Sequence, residues 1–191
     1  MKKYLVLVAL LVILLIAPAC RGSKKTIYDD AIIYECQTYN KTVKGTTLNI
    51  LEMSTDELGN PNSGFKYFRL LFYSNHTFAR VTYPYATQIE EIFYGTYTQK
   101  NEPTDVPKVD ANGATVVDED GNIVYVTKSI ITLYYDDPIG SGSMDNVTGY
   151  ERYEVTDGTN KLTRKQSQIT LDYQAYIYQI WKRVEKKDLI K

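Results

Sequence analysis

One histidine, two cysteines and eighteen tyrosines bound the chemistry open to this chain of 191 residues. His76, the only imidazole, follows Ser74-Asn75 in a polar stretch between two apolar runs, where a solvated turn is expected. A Ser-His-Asp or Cys-His nucleophile would have to use it, and a zinc site needs several His or Cys ligands, so both lack their parts. Asp110-Ala111-Asn112-Gly113 and Asp118-Glu119-Asp120-Gly121-Asn122 gather the oxygen ligands that hard cations prefer. Their spacing departs from D-x-[DN]-x-[DN]-G with a closing glutamate, and turn formation accounts for them. Gly140-Ser141-Gly142-Ser143 lacks both the G-x-S-x-G order and the strand-to-helix setting of a nucleophile elbow. The pairs Glu90-Glu91 and Asp136-Asp137 fall at the ends of expected strands, where solvated charge is usual. No catalytic residue, metal site or cofactor is expected, and the chain is read as a non-enzyme.

The tyrosines are the compositional excess, set against five phenylalanines and one tryptophan. A buried tyrosine must find a hydrogen-bond partner for its hydroxyl. Tyr94, Tyr134, Tyr153 and Tyr173 sit in expected strands and would give a cavity apolar walls with a few polar handles, as small-ligand pockets require. Strands also favour tyrosine in general, so the same rings would serve equally to cover a wet outer surface.

The elements that must position these residues are strands. Residues 68–73 place Phe68, Leu70 and Phe72 on one face, residues 77–83 run back after the turn, and residues 91–98 form a third strand. Gly95 inside that strand marks a bend or a close backbone approach. Residues 32–37 fit a first strand, and 46–53 read equally as strand or helix. Residues 56–64 are a loop, and 101–122 a polar excursion in which residues 114–117 and 123–126 form a protruding hairpin. Strand character returns at 130–135, a second open loop spans 136–149, and strands follow at 150–156 and 161–165 with a turn between them. A last alternating run covers 168–181. No repeat of fixed period stands out. Many short strands with hardly a helix indicate an all-β fold, a single antiparallel up-and-down barrel of about 8 to 10 strands, closed by pairing the last strand with the first.

The start of the chain is an export signal. Met1-Lys2-Lys3 is a positive n-region, residues 4–16 are apolar but too few to span a bilayer, and Ala17-Pro18-Ala19 suits cleavage. The chain then divides into a signal peptide at 1–19, a modified cysteine and tether at 20–26, a barrel domain at 27–185 and a charged tail at 186–191. Formal net charge is −1 and the pI about 5.9, which excludes the basic footprint of a nucleic-acid binder.

Ala19-Cys20 at the end of the apolar run resembles the lipobox of bacterial lipoproteins, which implies acylation of Cys20 and a membrane partner held through that lipid. With Ala17 where leucine is usual, an ordinary signal peptidase is the alternative, leaving a secreted chain in which Cys20 is free to pair with Cys36. The order of Phe68-x-Leu70-x-Phe72, Thr77-Phe78, Tyr94-Gly95-Thr96-Tyr97-Thr98, residues 130–134 and Tyr178-Gln179-Ile180-Trp181 resembles the lipocalin-like (calycin-type) lipoproteins of bacteria over residues 67–184. The resemblance implies a cell-envelope barrel, anchored to the outer face of a membrane, that binds a small hydrophobic or amphipathic ligand or acts as an envelope accessory. The 101–122 insertion and the absence of a Gly-x-Trp near the first strand depart from it. A second resemblance, Tyr34-Glu35-Cys36 with Ser63-Gly64-Phe65-Lys66-Tyr67, is to membrane-bound inhibitors of c-type lysozyme. It implies a protein-binding inhibitor with Ser63 and Lys66 as its contacts. Intact-mass spectrometry tests the anchor: a mature chain starting at Cys20 and carrying acyl mass is expected, and an unmodified Cys20 refutes it.

Overall fold

Alternating side chains and tight polar turns leave strands as the only way to bury this chain's apolar residues. The computed structural model describes residues 26–53, 64–136, 150–169 and 174–189. Strand β1 is Ala31–Val43, β2 Thr46–Asn49, β3 Phe65–Tyr73, β4 Thr77–Pro84 and β5 Glu91–Pro107. They are followed by β6 Tyr125–Tyr135, β7 Tyr150–Thr156, β8 Lys161–Ile169 and β9 Gln174–Val184. Neighbours pair antiparallel in the order β1-β3-β4-β5-β6-β7-β8-β9, and β9 returns to β1 over ten residue pairs from Ile33↔Val184 to Val43↔Ala175. The result is a closed eight-stranded up-and-down barrel. β2 is a short flap on the far half of β1, turned by Lys44 and Gly45 at φ 48° and 82°, the paired positive values of a two-residue hairpin loop. Among the described residues there is no α-helix, only single 3-10 turns at Asp157–Thr159 and Lys186–Leu189.

Two apolar groups hold the barrel. Inside it, Tyr34, Phe68, Leu70, Phe72, Phe78, Leu133, Leu162 and Trp181 pack together, with the Phe68 ring edge-on to Trp181 at 4.8 Å. Outside it, Ile33, Leu71, Ala79 and Val81 form a smaller group covered by Ile27, Tyr28 and Leu189 from the two ends of the described chain. Asp29 and Lys186 form an ion pair across those two ends. Apolar side chains thus line much of the interior, while the outer faces of β5 to β7 carry Thr98, Lys100, Thr132 and Arg152, where a bilayer-spanning barrel would present an apolar band.

Several expectations change in detail. β5 runs to Pro107 rather than stopping near Thr98, and with β6 it leaves the barrel as a two-stranded arm. Pro103 and Pro107 are tolerated because β4 stops pairing at Thr96, leaving that edge without a ladder to break. The alternating run at 168–181 is divided between β8 and β9, which pair with Ile169 opposite Gln174. Residues 46–49 are strand and 50–53 are turn. Of the expected loops at 56–64 and 136–149 all but Gly64 and Asp136 lie outside the described residues, as does the chain before residue 26.

The tip of the arm holds a tandem repeat that inspection by strand signals passes over. Val109-Asp110-Ala111-Asn112-Gly113-Ala114-Thr115-Val116 is followed directly by Val117-Asp118-Glu119-Asp120-Gly121-Asn122-Ile123-Val124. Each unit builds the same turn: Asp110 Oδ1 accepts from the amides of Asn112 and Ala114 at 2.8 and 2.9 Å, and Asp118 Oδ1 from those of Asp120 and Asn122 at 3.0 and 2.8 Å. Gly113 and Gly121 supply φ 83° and 82°. Residues one repeat apart then close a ring, Lys108 N–H to Val124 O, Val124 N–H to Val116 O and Val116 N–H to Lys108 O, at 2.8 to 2.9 Å. The hairpin expected at 114–126 is therefore one side of a three-segment tip.

Gly95 sits where the chain leaves no room for a side chain. A Cβ there would lie 2.1 Å from the Tyr134 carbonyl oxygen and 2.7 Å from Cε1 of Phe78, whose residue it faces across β4 and β5. Gly95→Ala is expected to cost about 3 kcal/mol and lower the melting temperature by roughly 6–12 °C, measured by thermal unfolding.

Candidate functional site

The parity that sends Leu133, Tyr153, Leu162 and Trp181 inward also sends charged and amide side chains into the barrel. Glu151 precedes Tyr153 by two on β7, Arg164 follows Leu162 by two on β8, Gln179 precedes Trp181 by two on β9, and Arg80 follows Phe78 by two on β4. Glu151 and Arg164 are 1% exposed, Gln179 not at all. One Glu151 oxygen accepts from Arg164 Nη1 at 2.8 Å and Arg80 Nη1 at 3.4 Å. The other accepts from the Tyr153 hydroxyl at 2.7 Å and the Tyr135 hydroxyl at 2.8 Å. Arg164 is held on its far side by Gln166 Oε1, 3.0 Å from Nε, while the Arg80 guanidinium lies 4.8 Å from the Phe68 ring centre.

Burial alone would raise the Glu151 pKa, but the charges of Arg164 and Arg80, then the hydroxyls of Tyr153 and Tyr135, outweigh it and the net shift is downward. A carboxylate so satisfied is a poor proton acceptor. Burial pushes the phenols of Tyr135 and Tyr153 up, and the same carboxylate adds to that, so they stay protonated donors. Burial also pushes the Cys36 thiol up, and it donates to Thr38 O at 3.3 Å, so Cys36 is an unreactive packed side chain. The group provides directional donors and fixed charge, with no activated nucleophile.

Gln179 differs from its neighbours. It sits between Arg164 on β8 and Tyr39 on β1, and neither its Oε1 nor its Nε2 makes a hydrogen bond. Trp181 Nε1, one inward position along, is likewise buried without a partner. A buried polar group left unmatched costs about 1–3 kcal/mol, so these two side chains are held here at a cost to stability.

Of the tyrosines singled out from the sequence, Tyr153 lies within this group. Tyr94 and Tyr134 stand on the outer face, 51% and 44% exposed, because Gly95 and Tyr97 take the inward positions of β5, and Leu133 and Tyr135 those of β6. Tyr173, Ser63 and Cys20 lie outside the described residues. Lys66 is exposed, its Nζ 5.4 Å from the Tyr83 ring centre. His76 occupies the β3–β4 turn at φ 63° against Tyr97, away from the interior group. Sequence reasoning passed over Glu151, Arg80, Arg164, Tyr135 and Gln179. The available signal was parity: Glu151 and Arg164 stand on the apolar phase of their strands. Among the described residues no three His, Cys, Asp or Glu side chains gather to hold a metal ion.

No protein-family model, curated protein or solved structure matches the chain. The barrel's order and closure are compatible with a calycin-like fold.

Glu151→Gln leaves two buried guanidiniums without their counter-charge and is expected to cost about 3–5 kcal/mol in urea unfolding at neutral pH; Tyr153→Phe, which removes one hydroxyl, about 1–2 kcal/mol. Because the folded pKa of Glu151 lies below its unfolded value, the unfolded chain takes up that proton first as pH falls. The contribution is therefore complete above the ordinary carboxylate value of 4.5 and is lost as pH drops through the lower folded value. Stability profiles of wild type and Glu151→Gln should converge below pH 4.5.

Proposed function

We propose that the chain is an exported, lipid-anchored, non-enzymatic barrel of lipocalin-like type that holds a small amphipathic molecule at the cell envelope. The observation that carries this reading is Gln179, an amide with no exposed surface and no hydrogen bond, pointing into a closed barrel beside Arg164 and Trp181. The interior is divided: Phe68, Phe72, Phe78 and Leu133 offer an apolar wall, while Arg80, Glu151, Arg164 and Gln179 offer donors and an acceptor. A ligand with an apolar body and a hydrogen-bonding head matches both parts. The Ala19-Cys20 boundary after the apolar leader supports the anchor. The saturated, low-pKa Glu151 and the unreactive Cys36 favour a holder over a catalyst.

Native mass spectrometry of protein purified from its source membrane is expected to show a co-purifying small molecule, and dansyl-undecanoic acid should bind saturably. Gln179→Leu should weaken the dansyl probe at least tenfold while leaving the melting temperature unchanged or higher, since it removes an unmatched polar group. An empty barrel that ignores the probe, or a Gln179→Leu variant that binds it like the wild type, refutes the reading.

A further inference from the structure

A second set of side chains lies on the outside of the barrel, at the root of the β5–β6 arm. Tyr134 and Tyr150 are directly paired across β6 and β7 and are 44% and 52% exposed. In the adjoining rung Thr98 pairs with Thr132 and Thr132 with Arg152, and Lys100 and Glu102 continue the same face of β5. Together these seven residues line a cleft of about 260 Å³. Drug-sized pockets hold about 300–1,000 Å³, so the cleft suits a small ring-shaped ligand or one unit of a chain of such rings.

We infer that this cleft binds a saccharide that carries a carboxylate. A sugar ring has an apolar C–H face and a rim of hydroxyls. Two tyrosine rings fixed on adjacent strands offer flat apolar surface with few torsions to freeze, and the hydroxyls of Thr98 and Thr132 stand beside them to meet the rim. The charge comes from Lys100. Arg152 is ion-paired with Glu102, and on the same face Lys128 with Glu154 at 2.9 Å, whereas Lys100 has no carboxylate within ion-pair distance among the described residues. The cleft therefore carries one net positive charge, on Lys100, two same-face positions along β5 from the rung of Tyr134. All seven residues belong to strands, so the site is set before the ligand arrives and pays little ordering cost. It is independent of the interior group, which lies on the other face of the same strands.

The test is calorimetric titration of the purified protein with trigalacturonate, neutral maltotriose and triglutamate. Trigalacturonate is expected to bind saturably and more tightly than either of the others. Tyr134→Ala with Tyr150→Ala should weaken it at least tenfold. Lys100→Gln should bring it down to the maltotriose level while leaving maltotriose itself unchanged; this single exposed change leaves the fold intact and carries the test alone if the double variant unfolds. Gln179→Leu should have no effect on any of the three. The inference is overturned if triglutamate binds as tightly as trigalacturonate, if neither saturates at millimolar concentration, or if Lys100→Gln leaves trigalacturonate binding as it was.

Discussion

The hydrogen bonds between β9 and β1 bring the last strand round to the first, and an enclosed interior exists only through that pairing. β1 carries more than its share, since it also pairs with β3 at its start and β2 at its end. A register shift between Cys36 and Thr38 lets one strand serve these neighbours, because the extra residue bends β1 and keeps both Tyr34 and Tyr39 among the buried interior side chains. Without closure the sheet would have two unpaired edges and Trp181 would meet water rather than Phe68 and Tyr153.

Closure in turn sets the electrostatics. Inside a ring of hydrogen-bonded strands, Glu151 is withdrawn from bulk solvent, and the cost of its charge is met by two guanidiniums and two phenols that reach it from β4, β6, β7 and β8. Such a group ties half the barrel's strands to one atom pair. It also fixes the orientation of Arg164, and hence what faces Gln179 across the β8–β9 ladder. Around Glu151 little adjustment is permitted, because each of its two oxygens already accepts from two donors, whereas Gln179 and Trp181 keep unmatched polar atoms.

How much of this the sequence discloses depends on which physical signal an element carries. The strands, the turn at residues 74–76, the close approach at Gly95 and the closing role of the last strand are legible, since alternation and turn residues are local properties. The inward direction of Glu151 is not, because parity along one strand becomes inside or outside only once neighbouring strands are in register, and a charged residue is by habit assigned to solvent. The same uncertainty divides Tyr153 from Tyr134: both are strand tyrosines, separated only by the phase of β7 and β6. Much of the tyrosine excess finds its reason in hydroxyl partners, as with Tyr34 on the Thr159 carbonyl, Tyr73 on that of Ile27 and Tyr67 on Glu90. The octapeptide repeat was readable in principle, but its two units are too short and too different in composition to announce a period.

The ring that closes the arm's tip bears on how the molecule behaves beside copies of itself. A two-stranded arm projecting from a barrel would ordinarily end in open backbone ready to pair with another chain. Here Lys108, Val116 and Val124 satisfy one another in a circle, and the two aspartates cap the turns between them. At the tip of the arm the strand hydrogen bonds of these three residues are thus used up internally, which leaves them no free backbone to offer a neighbouring copy.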